Sequence, residues 1–115
     1  MAIENEKDTL RELQELLRDF TRERDWDQFH NGKDLAIALS IEASELLEPF
    51  LWKSPEEASR EKIAEELADV VIYALQLADR YGLDVNEIVR AKIARNAAKY
   101  PVAKCKGSAR KYTEL

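Results

Sequence analysis

Two segments of the chain carry pairs of acidic residues inside otherwise apolar sequence. Glu42 and Glu45 lie three residues apart in the stretch from Leu35 to Leu47, and Glu66 and Asp69 repeat that spacing. Residues three apart share one face of a helix, so each pair would present two carboxylates side by side. Burying ionised carboxylates is costly, and gathering like charges raises the cost further. Four such groups therefore predict that a cation joins them.

The ligand chemistry indicates which cation this would be. All four candidate ligands are oxygens, which select a hard ion such as Mg²⁺ or Mn²⁺. A di-iron bundle site needs a Glu-x-x-His pair on each of two helices, and the only histidine, His30, lies outside both acidic segments. Any single acid pair is typical of a solvated helix face, but two pairs inside apolar runs favour a metal site. Magnesium held in this way keeps positions for water and substrate phosphates.

Other residues have the types that a nucleotide would need. Lys92 and Asn96 are four residues apart and would share a polar face that contacts phosphate oxygens, although such residues are often simply solvated. Trp26 and His30 in an aromatic connector, with Trp52 further along, would sandwich a base. Stacking of this kind contributes roughly 1–3 kcal/mol per base. The alternative is that the aromatic residues close the end of a helical bundle.

Four helices are predicted to position these residues within a single domain, 1–115, whose tail is 102–115. Apolar residues make up 45% of the chain and charged residues 36%, with only three glycines and three prolines, which favours an all-α fold over a β-sandwich. The first predicted helix runs from about Asn5 to Arg24. The second runs from an N-cap near Asp34 toward Trp52, and Pro49 bends or ends it after Glu48. The third runs from a capping box at Ser54–Glu57 to about Tyr81, with Gly82 as its cap, and the fourth runs from Asp84 to Pro101.

The third predicted helix also indicates assembly. Ten of the twelve residues from Leu67 to Ala78 are apolar, so every face of this helix would need to be covered. Three other helices of one small chain can hardly cover all of it. We therefore expect a homo-oligomer, either a dimer or a tetramer.

Charge and cysteine usage narrow the class of protein. A net charge of −5 provides no general attraction to nucleic acids or acidic membranes, so neither is an expected partner. The single cysteine, Cys105, cannot form an internal disulfide, and the acidic N-terminus does not have the pattern of a signal peptide. We expect a cytoplasmic protein.

Taken together, these segments resemble the MazG-like all-α nucleoside triphosphate pyrophosphohydrolases, in particular the dCTP pyrophosphatase branch. The resemblance covers most of the chain from Arg24 onward and is far more specific than the acid pairs alone. The segments that carry it are Arg24–His30, Glu42–Trp52, Glu66–Tyr73, Asn96–Pro101 and Arg110–Leu115.

The resemblance implies a four-helix bundle-like fold, assembled as a dimer or tetramer, that hydrolyses a (deoxy)nucleoside triphosphate with Mg²⁺. The substrate would be dCTP or a modified dCTP, and the products the monophosphate and pyrophosphate. By position, the resemblance places the metal ligands at Glu42, Glu45, Glu66 and Asp69, and the substrate contacts at Trp26, Trp52, Tyr73, Lys92 and Asn96. From the residues themselves we add His30 as a substrate contact and choose Glu42 as the general base.

Three departures from the family pattern bear on the substrate. Leu17 stands where mammalian-type members have a base-contacting histidine, Asp34 replaces the usual asparagine after the aromatic connector, and Pro49 precedes the loop of Trp52.

Two other functions remain open. One is a non-catalytic helical module for oligomerisation or interaction; the other is a phosphoribosyl-ATP pyrophosphatase, which the aromatic connector disfavours.

Overall fold

The secondary structure is entirely helical in the part of the chain that the structure describes. In a computed structural model, which describes residues 9–114, no strand is present within that range. The all-α prediction is therefore confirmed. The α-helices are α1 (Thr9–Glu23), α2 (Gly32–Glu45), α3 (Arg60–Arg80), α4 (Val85–Lys99) and α5 (Val102–Cys105), and 3₁₀ turns form at Asp27–Phe29, Glu48–Phe50, Pro55–Glu57 and Tyr112–Glu114.

The chain forms two compact units. The first unit ends at Leu83 and contains α1, α2 and α3, and the second begins at Asp84 and contains α4 and α5. Within the first unit, α2 and α1 both pack against α3. The residues from Asn5 to Asp8 of the first predicted helix, and the final Leu115, lie outside the described residues.

The start of α2 differs from the prediction because another residue caps it. Asn31 is the N-cap, and its side-chain oxygen accepts a hydrogen bond from the Asp34 backbone N–H at 2.8 Å. The Asn31 amide also donates to the Asp34 carboxylate at 2.8 Å. Asp34 is thus the third helical residue and completes a reciprocal cap. The prediction of Asp34 as the N-cap was wrong because both residue types cap well and sequence alone did not rank them.

The segment between α2 and α3 is also more broken than predicted. α2 ends at Glu45, before Pro49, which is buried in the next 3₁₀ turn. Glu57 accepts from the Ser54 hydroxyl at 2.8 Å, so the predicted capping residues do meet, but they cap only a 3₁₀ turn. Ala58 is extended, and α3 begins at Arg60 with Ser59 as its N-cap. Two caps in tandem compete here, and the second one begins the long helix.

The ends of α1 and α3 follow one pattern. The Trp26 N–H donates to the Thr21 carbonyl at 2.9 Å, and the Leu83 N–H donates to the Ala78 carbonyl at 2.9 Å. Each bond spans a residue of positive φ, Asp25 at 56° and Gly82 at 63°. This is the left-handed helix cap in which glycine is usual and aspartate is tolerated. The predicted cap at Gly82 is confirmed, and Asp25 forms the equivalent cap at the end of α1.

The buried interior of the first unit is small. Leu35 on α2 and Leu75 and Ala78 on α3 are its buried apolar residues, with Leu35 2% and Leu75 4% exposed. On α1, the buried residues are Gln14 and Thr21 rather than leucines. The Gln14 amide donates to the Leu75 carbonyl at 3.4 Å. Because polar residues face the interior, the leucines of α1 remain partly exposed.

A two-point ion pair joins α1 to α3. The Arg18 guanidinium donates to the Asp79 carboxylate through Nη2 at 2.6 Å and through Nε at 3.1 Å. The side chains are 42% and 33% exposed, so solvent screens the pair only in part. A guanidinium that donates two hydrogen bonds to one carboxylate has the geometry in which an ion pair contributes measurably to folding stability.

No helix in the described range is long and apolar enough to cross a membrane.

We predict that a double-mutant cycle with Arg18→Ala and Asp79→Ala gives a coupling free energy of about 0.5–1 kcal/mol in urea unfolding. The reason is the two-point geometry and partial shielding of the pair. Arg22 and Asp19 on α1 provide a matched control, because they are 3.9 Å apart and both about two-thirds exposed. Their coupling should be close to zero, and equal coupling in the two cycles would contradict this interpretation.

Candidate active site

Three carboxylates from two helices meet in the first unit. α2 carries Glu42 and Glu45, and α3 carries Glu66. One oxygen of each carboxylate lies within 4.8 Å of the other two, and all three side chains are half-buried. The i, i+3 spacing on α2 places its two acids side by side, and the packing of α2 on α3 brings the third acid against them. We call this group the acid cluster.

Like charge and burial raise the pKa of two members of the acid cluster. The pKa of Glu42 is raised first by a hydrogen bond with Glu45, then by burial and by the charges of Glu45, Asp69 and Glu66. The pKa of Glu66 is raised first by burial and then by the charges of Glu45, Asp69 and Glu48. The ionised forms of both groups are therefore disfavoured when no cation is bound.

The acid cluster fits a hard divalent cation. One oxygen of Glu42 and one of Glu66 are fully shielded, and neither has a hydrogen-bond partner in residues 9–114. Buried polar atoms normally have a partner, so these two oxygens are free to ligate an ion. Because the donor set is all carboxylate, its chemistry matches Mg²⁺ or Mn²⁺ rather than a softer metal.

Asp69, the fourth predicted ligand, is placed differently. It lies outside the group of oxygens within 4.8 Å, although its charge raises the pKa of both Glu42 and Glu66. Glu48 also acts on Glu66, and the sequence analysis did not select it. Its position three residues after Glu45 was the signal available, but Pro49 beside it indicated a helix end rather than a site.

An apolar groove of about 990 Å³ runs between α1 and α3 and contains four of the predicted residues. Its apolar walls come from leucines and Phe20 of α1 and from aliphatic residues of α3. The predicted residues that line it are Trp26, His30, Asp69 and Tyr73. We call this space the large groove.

Trp26 has a defined orientation beside the large groove. Its ring meets Phe20 edge to face, with centroids 5.7 Å apart and an interplanar angle of 75°. The Arg24 guanidinium lies 3.7 Å from the centroid of the Phe20 ring. These contacts hold the Trp26 ring while leaving it partly exposed, as a stacking surface requires.

Three predicted substrate residues are not brought to the large groove within the first unit. Trp52 is 99% exposed and has a positive φ of 62°, a conformation that costs about 1–2 kcal/mol for residues other than glycine. Lys92 and Asn96 are exposed residues of α4 in the second unit, four positions apart on one helix face. The sequence predictions for Trp52, Lys92 and Asn96 therefore stay predictions.

Comparison with known proteins identifies the family to which the chain belongs. The model of the MazG-like family matches residues 37–115, which include the acid cluster. The chain belongs to the MazG-like family. It is 43% identical to dCTP pyrophosphatase 1 of Bos taurus and 42% identical to that of Homo sapiens, in both cases over 93% of this chain and 68% of the relative.

A solved structure supports the same family assignment. This MazG-like chain matches the crystal structure of a pyrophosphatase from Archaeoglobus fulgidus with a TM-score of 0.76 and 38% sequence identity. The match covers 83% of this chain and 94% of the archaeal one. The family resemblance inferred from the acid pairs and the aromatic connector is confirmed.

We predict that Glu42→Gln, studied with a chelator present, is at least as stable as the wild type near neutral pH. A raised pKa means that the folded state favours protonated Glu42, so this contribution to stability is lost as pH rises above the ordinary glutamate range. The neutral amide removes the repulsion. Its advantage in thermal midpoint should shrink as pH falls through the raised pKa of Glu42 and should be absent below about 4.3, the ordinary glutamate pKa.

Glu57→Gln is the matched control, and its effect on stability near neutral pH is expected to be opposite in sign to that of Glu42→Gln. Hydrogen bonds from the Ser54 hydroxyl and backbone N–H lower the pKa of Glu57, so its stabilising contribution is present near neutral pH and lost on acidification. This variant should be less stable than the wild type near neutral pH, and the difference should vanish at low pH. Thermal scans in which both variants change in the same direction would contradict the assignment.

Proposed function

We propose that the acid cluster hydrolyses dCTP or a modified dCTP, with Mg²⁺ or Mn²⁺, to the monophosphate and pyrophosphate. The chain is a nucleoside triphosphate pyrophosphohydrolase, as its family and its similarity to dCTP pyrophosphatases and a solved pyrophosphatase support. One observation carries the metal proposal: three carboxylates meet within 4.8 Å, with shielded oxygens on Glu42 and Glu66 that have no partner in the described chain. Discarding damaged or surplus nucleotides would be the purpose of such a reaction.

The roles of the acids follow from their positions. Glu45 and Glu66 would hold the cation with Glu42, and Asp69 would complete the ligand set from the side of the large groove. Glu42 would also accept a proton from the water that attacks the α-phosphorus, since a carboxylate beside the bound ion is positioned to act as a general base. The bound ion would polarise phosphoryl oxygens and neutralise the departing pyrophosphate.

The large groove would take the nucleoside. Trp26 offers a partly exposed ring for stacking, and Tyr73 and His30 line the same space. Tyr73 is four residues from Asp69 on α3, so one helix face connects the acidic residues to the groove. Trp52 would cover the base.

We predict that the protein releases pyrophosphate from dCTP only when Mg²⁺ or Mn²⁺ is present. Glu42→Gln should lower kcat by roughly 100-fold or more, because it removes a general base and a metal ligand. Asp69→Asn should also lose activity. A coupled pyrophosphate assay over a panel of dCTP, 5-modified dCTP, dUTP, dATP and ribonucleotides measures both the activity and the base preference.

Glu65→Gln is the matched control for these variants. Glu65 is an exposed acid of α3 next to Glu66, and it is not part of the acid cluster. The activity of this variant should stay near that of the wild type. Equal background release from the wild type and Asp69→Asn would rule out the proposed reaction.

We also propose that the protein assembles as a homodimer or homotetramer. Leu16 and Ile93 are both more than 60% exposed, and on α2 the neighbouring Ile37 and Ile41 are 48% and 52% exposed. Apolar side chains exposed in this number are typical of an interaction surface. Trp52 would be covered by the same assembly.

We predict a mass of two or four chains by sedimentation equilibrium. Ile37→Arg should give a smaller assembly, since a charge at an apolar interface is left unpaired. Lys33→Ala, an exposed polar position on the same helix, should leave the mass unchanged. A wild-type protein that sediments as a single chain would contradict the oligomer.

The alternative is a helical interaction module without catalysis. The exposed apolar residues favour assembly in either case, but that function provides no reason for three half-buried carboxylates to meet. A thermal shift with Mg²⁺ and a non-hydrolysable nucleotide separates the two, because a ligand that binds the folded state raises its stability. The expected cytoplasmic location stays a prediction.

A further inference from the structure

One buried polar group is not used by the proposed reaction. Gln76 on α3 has a side-chain oxygen that is fully shielded and has no hydrogen-bond partner within residues 9–114. Gln76 lines the large groove together with Trp26 and Tyr73. Since buried amide oxygens normally have a partner, an unpaired one on a residue that lines a ligand-sized groove indicates a group that bonds to what the groove holds.

The position of Gln76 along α3 matches one end of a nucleotide. Asp69, Tyr73 and Gln76 follow at i, i+4 and i+7, so they share one helix face. At a rise of 1.5 Å per residue, Gln76 lies roughly 10 Å along the helix from Asp69 and roughly 15 Å from Glu66. This separation is comparable to that between the phosphates and the base of a nucleotide. The acids stand at the phosphate end and Gln76 at the base end.

The amide has the chemistry of a base-edge contact. Its oxygen accepts and its NH₂ group donates, side by side, so it can pair with an exocyclic amine next to a ring nitrogen. Cytosine presents this pattern at N4 and N3. The walls of the large groove are otherwise mostly apolar, and Leu17, which also lines it, offers no hydrogen bond.

We propose that Gln76 is the residue that recognises the base, by pairing its amide with the amine-bearing edge of cytosine. Trp26 stacks on the face of the base while Gln76 bonds to its edge. This inference rests on the proposed function, because it assigns a role within the same site. It names a specificity-determining residue that the sequence pattern did not single out, since a glutamine in an apolar helix resembles an ordinary surface position.

The test compares dCTP with the corresponding 2-pyrimidinone deoxynucleoside triphosphate, which lacks the exocyclic amine. The wild type should favour dCTP in kcat/KM by roughly 10- to 100-fold, the range expected for a good two-point contact with a base. Gln76→Met keeps the length of the side chain and removes both hydrogen-bonding groups. It should lower kcat/KM for dCTP by more than for the analogue, which keeps only the N3 contact, so that the preference falls close to one.

Gln14→Met is the matched control. Gln14 is a buried glutamine that contacts the Leu75 carbonyl and lines a smaller polar groove, but not the large one. This variant should keep the wild-type preference. Retained turnover of the analogue by Gln76→Met shows that the variant is folded.

The failures of the two proposals are distinguishable. If the wild type releases no pyrophosphate from any nucleotide with Mg²⁺, the proposed function fails and this inference fails with it. If the wild type hydrolyses dCTP but Gln76→Met keeps its preference, or loses activity equally on both substrates, only the assignment of Gln76 is overturned.

Discussion

The repulsion among carboxylates where α2 meets α3 is the constraint on which the rest of the site depends. Glu42, Glu45 and Glu66 approach within 4.8 Å, and both burial and mutual charge raise the pKa of Glu42 and Glu66. Such an arrangement opposes folding unless a cation or a proton is shared among them. The packing of α2 on α3 holds the acids together in spite of this repulsion.

The first unit leaves its nucleotide side open. Few residues are fully buried, and the large groove between α1 and α3 has an apolar wall without a covering element in the first unit. Polar Gln14 and Thr21 occupy the buried face of α1, which turns its leucines toward that groove. The apolar groove and Trp52 are therefore surfaces that the first unit by itself leaves uncovered.

Sequence patterns were most informative where the physics is local. The i, i+3 acid pairs, the all-helical composition and the cap at Gly82 follow from helix geometry and backbone preference, and all are present in the structure. Patterns failed where two local solutions compete. Asn31 prevailed over Asp34 as a cap, and Ser59 rather than Ser54 begins α3, because the choice depends on where the helix packs.

By itself, the amino-acid order determined the family, the helical class and which acids would be neighbours on each helix, because these depend on residue type and short spacing. Only the tertiary structure decided which of those acids meet across helices, and it separated Asp69 from the tightest group. It also decided that Trp26 and Tyr73 line one groove while Trp52 lies in solvent. The physical reason is that contacts between helices depend on their rotation and packing, which the pattern along one helix does not specify.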